Sequence, residues 1–315
     1  MFTGLSAIFL MLSVVEFIIG MLGNVFIGLV NCSEWVKNQK ISLFDFIITS
    51  LAIFRIGQLL LWITLFESFL MLFWSHLYAT DKHLISIVGI FWTLSNHLAT
   101  WCATCLSVFY FLQIASFSHP CFTWLRWRIH RVVLVLLLGS LFLLVFNSKL
   151  IHSFGESWTS IYKIDQRNST ASSGKMKTLY LNGLIVYSLI CLMPFLVSVT
   201  SLLLLFISLR RHTKILKLNP SSRDFSTEAH RRAMRMIISF LLLFLVHFSS
   251  ILSVGWAFII LQKHQVNLVV MLTSIVFPSG HSFTLILGNS KLRQNALGLL
   301  WYLNCHLKRV KPLAS

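Results

Sequence analysis

The sequence predicts an all-α membrane protein built as a bundle of seven transmembrane helices. Of its 315 residues, 57% are hydrophobic and only 11% are charged, and the mean hydropathy is +0.80. A soluble domain of this length could not bury that much apolar surface, so lipid must cover part of it. The net charge of +17 lies between long apolar runs, which indicates membrane topology rather than binding to nucleic acid.

Seven apolar runs are each long enough to cross the hydrocarbon core, which takes about 20 helical residues. Helices are expected because lipid offers no partner to an unpaired backbone group. The predicted spans are residues 7–30, 43–67, 84–115, 129–148, 179–209, 233–261 and 267–288, and a tail follows at 289–315. Together they predict a single seven-helix domain over residues 1–315.

The individual runs differ in how clearly they are delimited. The first lacks the basic segment that precedes a cleaved signal peptide, and its length favours a helix that stays in the membrane. The fourth is weakest at its start, where Arg131 interrupts the apolar run. The fifth and sixth are long, and we expect both to project into the cytosol.

The distribution of Lys and Arg predicts an extracellular N-terminus and a cytosolic C-terminus. In that orientation the inner segments are 31–42, 115–131, 207–235 and 288–315; they hold 18 basic residues, whereas the outer segments hold 7. Positive residues accumulate on the cytosolic side of membrane proteins. An Asn-Ser-Thr sequon begins at Asn168 in the second outer segment, so we expect a glycan there.

One tetrapeptide, Pro-Ser-Gly-His ending at His281, matches the middle motif of membrane phosphatases that hydrolyse lipid phosphates. Such an enzyme also needs a basic motif to hold the phosphate, and a second His with an acidic partner. None of the five prolines follows an Arg, and no Asp or Glu follows Glu228. We therefore expect no catalytic residues, and the scattered His residues lack the spacing of a metal site.

Four segments carry a family signature. They are GMLGNVFIGLVN at 20–31, LAIFRI at 51–56, NHLATWCATCLSVFYFLQIASFSHP at 96–120 and HSFTLILGNSKLR at 281–293. These segments resemble the type 2 (bitter) taste receptors, a family of G-protein-coupled receptors, and the resemblance covers nearly the whole chain. It implies a multi-pass receptor of the plasma membrane that needs no cofactor. Such a receptor binds small bitter molecules and activates a gustducin-type heterotrimeric G protein.

Three other functions are weighed against the taste receptor. A pheromone-type chemosensory receptor shares the seven-helix plan, but the HSFTLI signature disfavours it. A lipid phosphatase lacks the required residues, and a small-molecule transporter is disfavoured because the two halves show no internal repeat.

The third span carries the first candidate binding residues. Trp92 and Asn96 are four residues apart and share one helical face, so they form either a pocket wall or a packing surface. The family resemblance places both in the agonist pocket. Across from them it places five further residues, which are Phe66, Tyr187, His247, Met271 and Ser274. Some relatives carry an acid at the position of Met271, so its absence predicts no requirement for a charged amine.

Arg55 is the most unusual residue, because it lies about 18 Å inside the second span, where a lone charge is costly. The resemblance places Asn24 and Ser282 opposite it, with His281 in the same signature. These residues form either a polar latch that rearranges on activation or a static network that holds the helices together. Tyr110, at the inner end of the third span, is a further switch candidate.

Basic residues at the inner ends of the fifth and sixth spans are candidates for contact with the G protein. They are Arg210, Arg211, Lys214 and Arg232. Binding of anionic membrane lipids explains the same charges, and the two roles are compatible. Gln113 departs from the family pattern, which has Lys at this position, and the lost charge bears on coupling to the G protein.

Overall fold

The computed structural model describes residues 4–75, 82–145, 170–216, 225–260 and 264–310. Within these ranges the chain forms nine α-helices and no strand. They are α1 (Gly4–Asn38), α2 (Leu43–Ser75), α3 (Lys82–Ile114), α4 (Pro120–Trp127), α5 (Ile129–Val145), α6 (Thr170–Leu216), α7 (Phe225–Ile260), α8 (His264–Gly288) and α9 (Ser290–Val310). An all-α fold is therefore confirmed for the described part of the chain.

Five of the described helices are long and apolar enough to cross a membrane, and α4 with α5 makes a sixth if the pair is one span. A shorter apolar stretch, Leu272–Gly288, lies within α8. Most helices extend beyond the predicted spans, because hydropathy detects only the part of a helix that lies in lipid. The longest, α6, begins nine residues before its predicted start and ends seven residues after its predicted end.

The helix of the fourth predicted span, α5, begins at Ile129, the residue at which the span was predicted to begin. A separate helix, α4, precedes it, and the two helices are bent by 80° at Arg128. Pro120 occupies the first turn of α4, and Nδ1 of His119 accepts a hydrogen bond from the N–H of Cys121. These are N-terminal helix signals. The hydropathy count missed them because α4 is short and carries Arg126.

Helices α1 and α8 are joined by a seam of small and polar residues. Ser282 Oγ donates to Asn24 Oδ1 at 2.8 Å, and Asn24 Nδ2 donates to the carbonyl of Pro278 at 3.1 Å. Higher on the seam, Ser279 Oγ donates to the carbonyl of Glu16 at 3.1 Å. Gly20 faces Ser279, where an added Cβ would collide with the side chain of Ser279. Small residues allow such close helix approach in membranes.

Helix α9 follows directly on α8 and was not predicted; the sequence indicated only a tail. Asn289 caps it, because its Oδ1 accepts hydrogen bonds from the N–H groups of Lys291 and Leu292. Lys291 Nζ also lies 2.6 Å from Glu34 Oε2 on α1 and 2.9 Å from Asp45 Oδ1 on α2. One side chain therefore ties α9 to both neighbouring helices.

Two opposing effects act on the pKa of Lys291. Partial burial lowers it, but the hydrogen bonds and negative charges of Glu34 and Asp45 outweigh burial, so the pKa of Lys291 is raised. A raised lysine pKa means that the ion pairs contribute fully at neutral pH. Their contribution is lost only as the pH rises through that pKa.

Candidate functional site

A small cavity of about 30 Å³ lies among α3, α6 and α7. Its lining is mixed, since polar side chains of α3 face aromatic side chains of the other two helices. The lining residues used below are Asn96, Thr100, Trp101, Tyr187, Pro194 and His247. The volume admits one or two water-sized groups, so the cavity can hold the head of a ligand rather than a whole molecule.

Three of the predicted pocket residues meet in this small cavity. Asn96 and His247 are buried, Tyr187 is half-buried, and all three line it. Trp92 lies one turn from Asn96, half-buried and outside the lining. Ser274 is buried behind the cavity, where its backbone contacts His247.

The side chains of Phe66 and Met271 lie outside the described residues, so their predicted roles stay predictions.

Asn96 is held in place by a residue that the sequence analysis missed. Gln58 on α2 donates from Nε2 to Asn96 Oδ1 at 2.9 Å, and both side chains are buried. Gln58 follows Arg55 by three residues and therefore lies on the same face of α2. A second polar residue three positions after Arg55, inside an otherwise apolar helix, could have identified Gln58 from the sequence.

A second polar contact links α3 to α6 beneath the small cavity. Thr104 Oγ1 donates to the carbonyl of Pro194 at 3.3 Å and accepts from Ser198 Oγ at 2.9 Å. Pro194 sits inside α6 and lacks an N–H, so the carbonyl of Ile190, one turn earlier, loses its helical donor. Ile190 is itself one of the residues that line the cavity.

Arg55 is only 1% exposed and lies against α8. Its Nη2 is 2.6 Å from His281 Nδ1, and its guanidinium lies 4.8 Å from the ring centre of Phe277. Guanidinium remains charged in proteins and only donates, so His281 Nδ1 must accept and the imidazole is neutral. Among the described residues Nη1 of Arg55 has no hydrogen-bond partner.

Asn24 and Ser282 bond to each other rather than to Arg55 in the described structure. Asn24, Arg55, His281 and Ser282 are therefore all buried near one another. They form two separate hydrogen-bonded pairs rather than one connected network. One contact joins α1 to α8, and the other joins α2 to α8.

A column of stacked rings runs along α7 and α8 beside Arg55. The rings of His247 and Phe277 are 4.8 Å apart and inclined by 24°, and those of Phe277 and His281 are 5.3 Å apart and inclined by 6°. His247 lines the small cavity, whereas His281 lines a second cavity. The aromatic column, His247–Phe277–His281, therefore connects the two.

This second, large cavity measures about 450 Å³ and lies at the end of the bundle where α2 begins and α8 ends. Its walls come from α2, α3, α6, α7 and α8 and are mostly apolar. Tyr110 lines it, packed against the rings of Phe44 at 5.8 Å and Phe109 at 6.3 Å. The predicted switch residue therefore lies in the wall of the larger cavity.

Two of the predicted cytosolic cations are described. Arg210 and Arg211 are exposed on α6, near the same end of the bundle as the large cavity. The side chains of Lys214 and Arg232 lie outside the described residues, and so does Asn168 of the sequon. Across the described residues, no group of three or more His, Cys, Asp or Glu side chains could hold a metal ion.

Comparison with known proteins identifies relatives over the full length. The family described as taste receptor protein (TAS2R) matches residues 1–304. Taste receptor type 2 member 42 of Papio hamadryas is 52% identical over 317 residues, which cover 99% of each chain, and the Homo sapiens member 42 gives the same figures. Taste receptor type 2 member 7 of Macaca mulatta is 42% identical over 302 residues, 95% of this chain and 94% of that protein.

These matches extend across every helix that builds the two cavities and the aromatic column. The family consists of receptors rather than enzymes, so the Pro-Ser-Gly-His tetrapeptide is not part of a phosphatase site. Its Pro278 and Ser279 contact α1, and its His281 pairs with Arg55 of α2. The chain therefore belongs to the taste receptor (TAS2R) family.

Proposed function

We propose that this bitter taste receptor binds its agonist with a polar head in the small cavity, and binds a gustducin-type G protein at the large cavity. The observation that carries the proposal is the aromatic column, because it gives the two cavities a common wall. The receptor acts in the plasma membrane with its N-terminus outside and the α1–α2 end of the bundle in the cytosol, in line with the excess of Lys and Arg at that end.

The small cavity suits an agonist head because it combines apolar rings with fixed polar groups. Asn96, held by Gln58, offers its amide, and Tyr187 and His247 bring aromatic surface. Ligand sites in proteins have this composition, a mostly apolar wall with a few oriented polar atoms. The apolar body of the agonist extends towards Trp92.

The large cavity suits a helix of the G-protein α-subunit. Its apolar wall offers a groove for an amphipathic segment, and the exposed Arg210 and Arg211 stand near it. The same cations attract anionic lipid, which brings a lipidated G protein and the receptor to one surface.

Activation follows from differential affinity of the agonist for two arrangements of α7 and α8. A head group that contacts His247 acts on a ring stacked against Phe277, and Phe277 in turn contacts both Arg55 and His281. A shift of these rings changes the wall of the large cavity, where the G protein binds.

The test is calcium imaging of cells that express the chain with a promiscuous taste-type G protein, against a diverse library of bitter compounds. We expect responses that Asn96→Ala and Trp92→Ala weaken at least tenfold, with surface expression intact. Asn295→Ala, an exposed asparagine on α9, is the matched control and should respond as the parent does. Responses that survive both pocket substitutions would place the agonist elsewhere.

A second arm of the experiment addresses the large cavity. Ala233→Trp places an indole in its wall and should abolish the calcium signal while direct ligand binding persists. Replacing the promiscuous α-subunit by a gustducin-type one should preserve the signal, whereas a stimulatory α-subunit should not. Loss of ligand binding together with the signal would mean that Ala233→Trp unfolds the receptor.

A further inference from the structure

Two polar atoms in the wall of the small cavity have no hydrogen-bond partner among the described residues. They are Nε1 of Trp101 and Nδ1 of His247. The two side chains are 6% and 3% exposed, so solvent outside the bundle does not satisfy them. Buried polar atoms almost always have partners in folded proteins, and exceptions at a cavity indicate where a ligand completes the bonding.

The two atoms need opposite hydrogen-bond partners, one an acceptor and the other a donor. Indole Nε1–H can only donate, so Trp101 needs an acceptor. His247 is in hydrogen-bond contact with the backbone of Ser274, whose carbonyl is free to accept because Pro278, four residues later in α8, has no N–H. Since Nδ1 is the unpartnered nitrogen, Nε2–H is the donor to Ser274, and Nδ1 remains as an acceptor that needs a donor.

The charges that the structure describes around the small cavity disfavour a cation. No Asp or Glu occurs among its described lining residues, and Arg55 lies one ring away, since it and His247 both pack on Phe277. Glu67 stands twelve residues beyond Arg55 on α2, about 18 Å further along the helix. A cationic head in the cavity would meet an uncompensated positive charge at low dielectric.

We propose that the agonist carries an uncharged head group with both an acceptor for Trp101 and a donor for His247, as a primary amide does, and that cationic amines do not bind. The inference rests on the proposed function, because it concerns the ligand of the same site. A cavity of about 30 Å³ admits such a group and leaves its apolar scaffold outside.

The test uses three probes that share one scaffold: 2-naphthamide, methyl 2-naphthoate and 2-naphthylmethylamine. They offer a donor and an acceptor, an acceptor alone, and a cation. Binding to the purified full-length receptor in lipid nanodiscs is measured by thermal shift, and calcium signalling is measured in parallel. We expect the amide to bind about tenfold more tightly than the ester, as one additional hydrogen bond allows, and the amine to give no shift.

Two conservative variants separate the two contacts. Trp101→Phe removes the N–H and should weaken amide and ester alike, by about fivefold to tenfold. His247→Phe keeps a stacked ring and should lower amide affinity to that of the ester, with ester affinity unchanged. Trp127→Phe, at a position 87% exposed, is the matched control and should bind all three probes as the parent does.

The possible failures are distinguishable. Amine binding as tight as amide binding, equal loss of amide and ester in His247→Phe, or no binding of any probe would each overturn the inference. The amide could instead bind, and lose affinity in Trp101→Phe and His247→Phe as expected, without producing a calcium signal. That result would support the ligand class and contradict the proposed function.

Discussion

For Arg55, the sequence predicts that a partner exists inside the bundle but does not predict which residue it is. A charge in the middle of an apolar helix indicates an internal partner, and burial of Arg55 against α8 confirms that expectation. The identity of the partner could not be predicted from the sequence. His281 and Ser282 are adjacent on α8, and Asn24 of α1 contacts Ser282, so all three are close to the same part of the bundle. Only the packing angle of α2 against α8 decides that His281 receives the hydrogen bond.

This pairing predicts which substitutions are coupled. Arg55→Leu leaves His281 Nδ1 without a donor, and His281→Phe leaves the guanidinium without an acceptor, so each should destabilise the receptor. The double variant should be no less stable than the worse single variant, because the two changes remove one interaction. Melting midpoints in nanodiscs measure this directly.

Ser282→Ala is the control for that cycle, since Ser282 bonds to Asn24. Its effect should add to that of Arg55→Leu. The observed pairing would be contradicted if the stability losses of Arg55→Leu and His281→Phe were additive while those of Arg55→Leu and Ser282→Ala were not. That result would favour the Arg55–Ser282 pairing that the family resemblance implies.

At the scale of elements, hydropathy located the apolar cores of the predicted spans but not their ends. Helices such as α6 continue past the membrane as polar turns, and hydropathy carries no signal there. Two features were missed altogether, the short helix α4 and the amphipathic helix α9, because neither is continuously apolar. The capping residues of these helices, His119 and Asn289, are present in the sequence. A cap predicts a helix only when an apolar periodic run follows it, and neither helix has a continuous one.

The α1–α8 seam gives an element-scale prediction. A methyl group at Gly20 would collide with Ser279 and come within 2.9 Å of Leu59 Cδ1, so Gly20→Ala should separate the helices. Overpacking of this kind costs about 1–3 kcal/mol. The variant should melt earlier and reach the cell surface in smaller amounts.

Gly28→Ala, two turns further along α1, is the matched control. An added Cβ there meets no atom within 4 Å, and alanine is the better helix former. It should therefore melt at or above the parent temperature. A similar loss in both variants would mean that α1 is sensitive to any substitution rather than held by the seam.

For the whole molecule, the sequence predicted the class and the arrangement of functional groups better than it predicted their contacts. Asn96, Tyr187 and His247 do meet at one cavity, although they come from three helices far apart in sequence. Trp101 was not predicted, because a tryptophan in a membrane helix ordinarily indicates packing. Its unpartnered nitrogen is visible only once α3, α6 and α7 are packed together.

Membrane orientation is a property of the whole chain and is tested as such. We expect an epitope tag at the N-terminus to be stained on intact cells, and one at the C-terminus only after permeabilisation. Asn168→Gln should abolish a glycosidase-sensitive shift in gel mobility. A C-terminal tag accessible on intact cells would contradict the orientation that the Lys and Arg distribution predicts.

The aromatic column has a thermodynamic consequence. Two ligands that bias the same rings are linked, and linkage is reciprocal. A peptide that mimics the G-protein helix and fills the large cavity must change agonist affinity by the same factor by which the agonist changes affinity for the peptide. Slower agonist dissociation in the presence of such a peptide, without any nucleotide or intact G protein, would therefore report the coupling between the two cavities within the receptor itself.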